Sequence, residues 1–437
     1  MKIGLVERLP GKSSDVGKDQ MGGYGINTQV GNSIFARILT ITKKRKRRIP
    51  FLILGYLTSI LQNNGHEVII INGNEPQEVD LIIIPTTIVD CKNELKFAKR
   101  IKKERKKTKI GLIGPFAGVK PDYYEGCYDF IVSGEPENVF FSITDKKIPE
   151  GYIVSKPVKD LDSLPFPDWD KFQVNKFSYK PILTKKPMLP ILTSRGCVYK
   201  CDYCAYPVYY KTYRKRSPEN VISEIKYIKK KYNAKSSIFR DPLFTCDRKR
   251  AKKIAELIIK EQLNNDFEWA CETRLDLIDE KTIDFFYEAG LRGFNVGIES
   301  IEPEILKNAD RIPINIAHQN KMIEYCHKKG INIAAFYVLG LEKDTEESIK
   351  KTISYAKKLN TLVAQFHINT PLPGTPLFEK LKNDIYEKDW EKFTFFNPVF
   401  KHKNLSNKKL LELKEKAWVS YYFRFKYFIK HYKTILS

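Results

Sequence analysis

The chain has 437 residues, 42% of them hydrophobic and 29% charged. That is too long for one ordinary core, fits two or three domains, and excludes a disordered chain. Lysine and arginine outnumber aspartate and glutamate by 76 to 52, a net charge of +24, which suits either a Lys-rich solvated surface or an anionic partner.

Lys2 to Glu7 reads as a strand and not as a signal peptide. No apolar run approaches the ~20 residues needed to span a bilayer, so the expectation is a cytoplasmic protein. A loop rich in Gly, Ser and Lys follows, through Gly22-Gly23-Tyr24-Gly25. The basic run Lys43 to Arg48 comes next, and Pro50 opens an apolar helix over Phe51 to Leu61 that Asn63-Asn64-Gly65 stops. Val68 to Asn72 and Asp80 to Pro85 are strands, the second apolar throughout, as central parallel strands are. Glu94 to Lys106 is a charged helix inside a second basic run, Lys99 to Lys107. Neither basic run is interleaved with aromatics, which argues against a nucleic-acid platform. Ile110 to Gly114 and Asp129 to Ser133 complete a doubly wound α/β pattern, whose ligand belongs at the carboxyl ends of the strands.

Residues 145–185 read as a linker, with Leu164-Pro165-Phe166-Pro167 resisting both helix and central strand. A longer alternation follows. Strands are expected at Leu189–Ser194, Ser237–Arg240, Phe267–Glu272, Phe294–Ile298, Asn332–Leu339 and Thr361–Ile368. Helices are expected at Pro218–Lys231, Asp247–Lys260 and Glu280–Ala289, then through Cys326 and over Thr345–Lys358. Six repeats imply a partial barrel with its site at the carboxyl ends of the strands. From about residue 403 the tail is helical, basic and aromatic. It suits packing on the barrel, or contact with the inner membrane surface.

Five of the eight cysteines are scattered, while Cys197, Cys201 and Cys204 fall within eight positions of one another, directly after the first barrel strand. Three thiolates at this spacing can hold one face of a compact cluster and leave one metal position open; a zinc site completed by a remote side chain such as His367 is the alternative. The motif resembles that of the radical S-adenosylmethionine (SAM) superfamily. The resemblance implies a [4Fe-4S] cluster on these cysteines, SAM on the open iron, Tyr203 packed near the adenine, and an external electron donor of flavodoxin or ferredoxin type. It also implies cofactor contacts from Glu272 and Arg274 after the third strand, and from Gly297, Glu299 and Ser300 after the fourth. An internal salt bridge is the other reading of Glu272 and Arg274. Where many members carry Gly-Gly-Glu after the second strand, this chain has Arg240-Asp241-Pro242, and Asp241 is the replacement contact.

The N-terminal part resembles the cobalamin-binding domain of one subgroup, which implies corrin contacts at Thr86, Thr87, Gly114, Pro115, Phe116, Gly134 and Glu135. The Asp-x-His-x-x-Gly signature is absent, and His66 is the single histidine before residue 300. A degenerate domain that has lost the cofactor stays open. The expected layout is a doubly wound (Rossmann-like), cobalamin-binding-type α/β domain over 1–145 and a linker over 146–185. A partial (β/α)6 TIM-like barrel over 186–380 and a helical extension over 381–437 follow. The expected activity is reductive cleavage of SAM to a 5′-deoxyadenosyl radical, with cobalamin-dependent methyl transfer to an unactivated carbon. Cyclisation, oxidation or carbon–carbon coupling is the second reading, and a non-catalytic Fe–S or zinc module on nucleic acid a remote third. The substrate is expected to be a small or lipid-like molecule.

Overall fold

The computed structural model describes residues 1–10 and 17–436. Residues 11–16 of the Gly-, Ser- and Lys-rich loop lie outside the described residues, as do the side chains of 44–47 in the first basic run and of 433, 435 and 436 in the tail.

The first unit contains β1 (Lys2–Arg8), α1 (Ile34–Lys46), α2 (Leu52–Asn63), β2 (Glu67–Asn72), β3 (Leu81–Pro85), α3 (Cys91–Glu104), β4 (Lys109–Ile113), β5 (Phe130–Ser133) and β6 (Gly151–Val154). Its six strands run parallel in the order β2-β1-β3-β4-β5-β6. Every residue of β3 is buried, so the continuous apolar run serves a strand covered on both faces. β6 corrects the reading of 146–185 as linker. It pairs Phe130 with Gly151 through Ser133 with Val154, and as an edge strand it leaves Tyr152 and Val154 in solvent, without the apolar signal of a central strand.

The second unit contains α4 (Pro218–Tyr232), β7 (Ser236–Phe239), α5 (Arg248–Lys260), β8 (Glu268–Thr273), α6 (Glu280–Glu288), β9 (Leu291–Glu299), α7 (Ile316–Lys328), β10 (Asn332–Leu339), α8 (Glu346–Leu359) and β11 (Val363–Ile368). The five strands form one parallel sheet in chain order. Ser217, Asp247, Asp279, Asn315 and Thr345 fix the helix starts, each side chain accepting from a backbone N–H of the first turn. The first strand, expected at Leu189–Ser194, exists as two isolated bridges from Met188 and Ile191 to β7, with Leu189 N donating to Ser236 O and Ile191 N to Ile238 O, both at 3.1 Å; Pro190, which has no N–H, falls between them on the outer side of this edge. The helix expected from β9 to Cys326 is broken. A short turn over Pro303–Asn308 ends, Asp310 takes a positive φ of 51°, and α7 begins only after Pro313.

The tail is helical, as α9 (Asn407–Tyr422) and α10 (Phe425–Leu436). Trp418 and Tyr421 are fully buried, and the Trp418 indole N–H donates to Phe366 O of β11 at 2.9 Å. Among the described residues no helix is long and apolar enough to cross a membrane.

Candidate active site

The carboxyl ends of the two sheets approach each other, with the loop Gly17–Gly25 between them. A Cβ on Gly22 would lie 3.0 Å from Ala205 C, next to Cys204, and one on Gly23 would lie 3.1 Å from Pro115 Cδ. Arg240 ties the loop to the barrel through Asp19, by Nε to Oδ2 at 3.1 Å and Nη2 to the backbone oxygen at 2.7 Å. The Tyr24 hydroxyl donates to Pro373 O beyond β11.

The cysteine segment starts from a short antiparallel pair, Ser194–Arg195 against Arg214–Lys215. Gly196 then turns with φ +77°, where a Cβ would sit 2.3 Å from Thr212 O, so only glycine fits. Cys197, Cys201 and Cys204 all line one cavity of about 280 Å³, together with Gln20, Met21 and Ile49 from the first unit and the ends of the barrel strands. Burial pushes the Cys204 thiol up to about 12, with the charges of Cys201 and Cys197 adding to the rise. A thiol held this high ionises when a metal supplies the opposing charge. Among the described residues no three His, Cys, Asp or Glu side chains gather around a single-ion site, and His367 lines the same cavity as the cysteines.

Tyr203, Glu272, Arg274, Gly297 and Glu299 all reach this cavity, as expected. Glu272 and Arg274 do not pair with each other. Glu272 accepts from Arg240 Nη1 at 2.6 Å, and burial pushes its carboxyl up to about 7 against the pull of that arginine. Arg274 holds Asp276 through Nε and Nη2 at 3.0 and 2.9 Å and lies 4.6 Å from the centre of the Tyr199 ring, leaving Nη1 buried without a partner. Glu299 carries a positive φ of 63°. A residue other than glycine there is strained, as functional positions often are.

Two expected contacts fall elsewhere. Asp241 is fully buried outside the cavity and accepts from Thr193 N, Thr193 Oγ1 and Ser194 Oγ at 2.5–2.6 Å. Its carboxylate pins the strand end that launches the cysteine segment. Ser300 lies outside the main cavity, on a smaller adjoining pocket, and its Oγ accepts from Glu302 N at 3.2 Å.

Arg311 is the largest omission from the sequence reading. The break before α7 turns it inward, where Nη2 donates to Gly297 O at 2.5 Å, Nη1 approaches Cys201 Sγ at 4.0 Å, and Glu299 lies 3.6 Å away. The signal available was Ile312-Pro313, which forbids a continuous helix. Asn295 and Asn369 were also missed. Asn295 donates from Nδ2 to the Tyr179 hydroxyl at 2.7 Å and leaves Oδ1 unpartnered, while both amide atoms of Asn369 are buried without a partner. A cavity lined by thiols, an unused guanidinium N–H and open amides suits a bound zwitterion with a heteroaromatic ring.

The seven positions named for a corrin do not line the cavity. Thr86 Oγ1 donates to Ile113 O at 2.9 Å and accepts from Ala117 N. Thr87 gives its N–H and hydroxyl to Glu94, which also takes Lys18 Nζ at 3.0 Å. A Cβ on Gly114 would lie 2.6 Å from Thr86 O, Phe116 is buried against Tyr123 and Trp390, and Gly134 turns with φ +90° beside Ser155 O. Glu135 is the clearest correction: it is a buried ion-pair partner of Arg195, at 2.6 Å, and of Arg214. Thr87 and Pro115 lie directly against the Gly17–Gly25 loop, and the other positions are engaged within the chain, so as placed they do not fit a corrin in direct contact.

Residues 191–356 match the model of the Radical SAM superfamily. The chain carries a radical SAM domain. An uncharacterized methyltransferase of Pyrococcus horikoshii is 29% identical over 423 residues, which cover 87% of this chain and 89% of that one. The anaerobic magnesium-protoporphyrin IX monomethyl ester cyclase of Rubrivivax gelatinosus is 27% identical, over 77% of this chain and 64% of its own. The solved structure of OxsB, a cobalamin-dependent SAM radical enzyme with aqua-cobalamin and SAM bound, superposes with a TM-score of 0.67 at 14% identity, over 98% of this chain and 68% of that one. This last likeness is one of fold, and it takes in the N-terminal sheet and the tail as well as the barrel.

Proposed function

We propose that this radical SAM enzyme transfers a methyl group to an unactivated carbon of a small-molecule substrate, with cobalamin as a further cofactor. The observation that carries the radical reading is the convergence of Cys197, Cys201 and Cys204 on one cavity with the unpartnered Nη1 of Arg274. When bound there, a reduced [4Fe-4S] cluster supplies the electron that splits SAM into methionine and a 5′-deoxyadenosyl radical. The three cysteines hold the cluster. Arg274 pairs with the carboxylate of SAM, a charge-assisted bond its Asp276 contact pre-orients. Glu299 accepts from the ribose hydroxyls while Arg311 keeps it and Gly297 in place. Tyr203 packs against the adenine, and Glu272 borders the cofactor under the hold of Arg240. The electron comes from an external donor of flavodoxin or ferredoxin type.

Methyl transfer and cobalamin are supported by the name of the Pyrococcus relative and by the whole-length fold likeness to OxsB. No step is assigned to cobalamin, because the strand-end residues named for it are engaged within the chain. Radical cyclisation is the second reading, favoured by the cyclase from Rubrivivax.

Anaerobic reconstitution with iron and sulfide, followed by dithionite and SAM, tests the reading. The expected outcome is 5′-deoxyadenosine from the native chain and none above background from a Cys197→Ala, Cys201→Ala, Cys204→Ala variant. Equal release from both proteins defeats the radical assignment. A corrin absorbance that survives desalting separates cobalamin-dependent methyl transfer from the cyclase-like reading.

A further inference from the structure

α1 and α10 leave an apolar face uncovered. On α1, Ile34 is 76% exposed, and Phe35, Ile38 and Ile41 are about half exposed, while Ala36 and Leu39 point inward. On α10, Phe425 is 81% exposed, with Phe428 and Ile429 more than half exposed, while Tyr427 and His431 are buried against the barrel. The outward residues of α10 recur at positions 425, 428, 429 and 432, one stripe of a helix. The two faces are continuous. The ring of Phe35 meets that of Phe423, just before α10, at 4.7 Å between centroids, and both helices are anchored on α9. Glu415 of α9 accepts from Asn32 N and Ser33 N at the start of α1, and Lys43 donates to Tyr422 Oη at 2.9 Å near its end.

Scattered exposed apolar residues need no explanation, but a joined patch of this kind does. Its charge identifies the partner. Ile34–Lys46 and Phe425–Leu436 contain no aspartate or glutamate, and their described cations are Arg37, Lys43, Lys426 and Lys430. A second copy of this face would bring cations against cations. An anionic lipid surface accepts both features at once, taking the aromatic and aliphatic side chains at the acyl boundary and the basic ones among the headgroups.

We infer that α1 and α10 form a paired interfacial anchor that docks the protein on an anionic bilayer without crossing it. The catalytic reading is not needed for this, and the two fail independently. The test is vesicle flotation of the full chain, with phosphatidylcholine alone and with phosphatidylcholine plus phosphatidylglycerol. Flotation with the anionic vesicles only, weakened by salt, is expected. The double variant Phe35→Glu, Phe425→Glu should reduce the floated fraction by roughly tenfold at an unchanged melting temperature, since it places charge where the acyl boundary would lie. Arg37→Glu, Lys426→Glu is a second variant that leaves the apolar stripe intact, and it should also lose binding. Absence of flotation, equal flotation with both vesicle types, or variants that float like the native chain would overturn the inference. So would a native dimer that the apolar variant dissociates.

Discussion

Arg195 is among the largest fully buried side chains of the molecule and immediately precedes Gly196-Cys197. Its guanidinium is met by Glu135 at 2.6 Å and Glu137 at 2.5 Å, both after β5, and lies within 5.6 Å of the Tyr56 and Tyr210 ring centres. The first unit therefore sets the position of the segment that carries the cysteines. Removing one partner of such a pair leaves a buried charge uncompensated, at a cost of about 3–5 kcal/mol. Glu135→Ala is expected to lose stability on that scale and, after reconstitution, to hold less iron per folded chain, measured by thermal melting together with iron analysis. A variant that melts and loads like the native chain would mean that the pair does not hold the cysteine segment.

The turn after β10 shows how an element closes the barrel mouth. Gly340 turns with φ +80°, and Asp344 Oδ2 accepts from Gly340 N and Leu341 N at 2.9 and 3.0 Å, while Oδ1 accepts from Ser348 Oγ of α8 at 2.6 Å. Burial pushes the Asp344 carboxyl from its usual 3.8 up to about 6, although these donors pull it down. The sign follows from linkage. Above pH 4 the unfolded chain gives up this proton and the folded chain retains it, so stability falls as pH rises towards 6 and then levels off, by roughly 3 kcal/mol for a gap of this size. Asp344→Asn keeps an acceptor for the two N–H groups and turns a donor to Ser348. It should melt close to the native protein near pH 4 and increasingly above it at pH 7; a difference that does not vary with pH would refute this. Helix starts and buried strands were legible in the sequence because they depend on local caps and apolar runs. The cysteine segment was legible for the same reason, since its three cysteines lie within one loop. β6 was not, because an edge strand has no continuous apolar signature. Arg311 was missed and Glu135 misjudged because their partners, Gly297 and Glu299 across the helix break and Arg195 sixty residues away, are set by the tertiary fold.

At the scale of the whole molecule, the layout of two domains and a linker understates how much is shared. Among the described residues one contiguous apolar cluster runs from Ile3 of β1 to Tyr427 of α10, beside two smaller ones. The linker contributes to it. Trp169 is fully buried, its indole ring would lie 2.8 Å from a Cβ on Gly55 of α2, and its backbone N–H donates to Tyr232 Oη at the end of α4. Polar ties cross the same boundary at Arg240–Asp19, Lys92–Asp389 and Arg195–Glu135. An ordinary interdomain contact within a chain is smaller and more polar, and its domains melt separately. Here, separating the units would bare a common core and leave Arg195 and Arg214 without their carboxylates. The metal-free chain is therefore expected to unfold in one calorimetric transition whose van't Hoff and calorimetric enthalpies agree. Residues 186–437 expressed alone should fail to give a cooperative transition or bind a cluster. Two resolved transitions in the full chain, or a barrel fragment that folds and loads iron unaided, would show instead that the cysteine segment keeps its shape without the first unit.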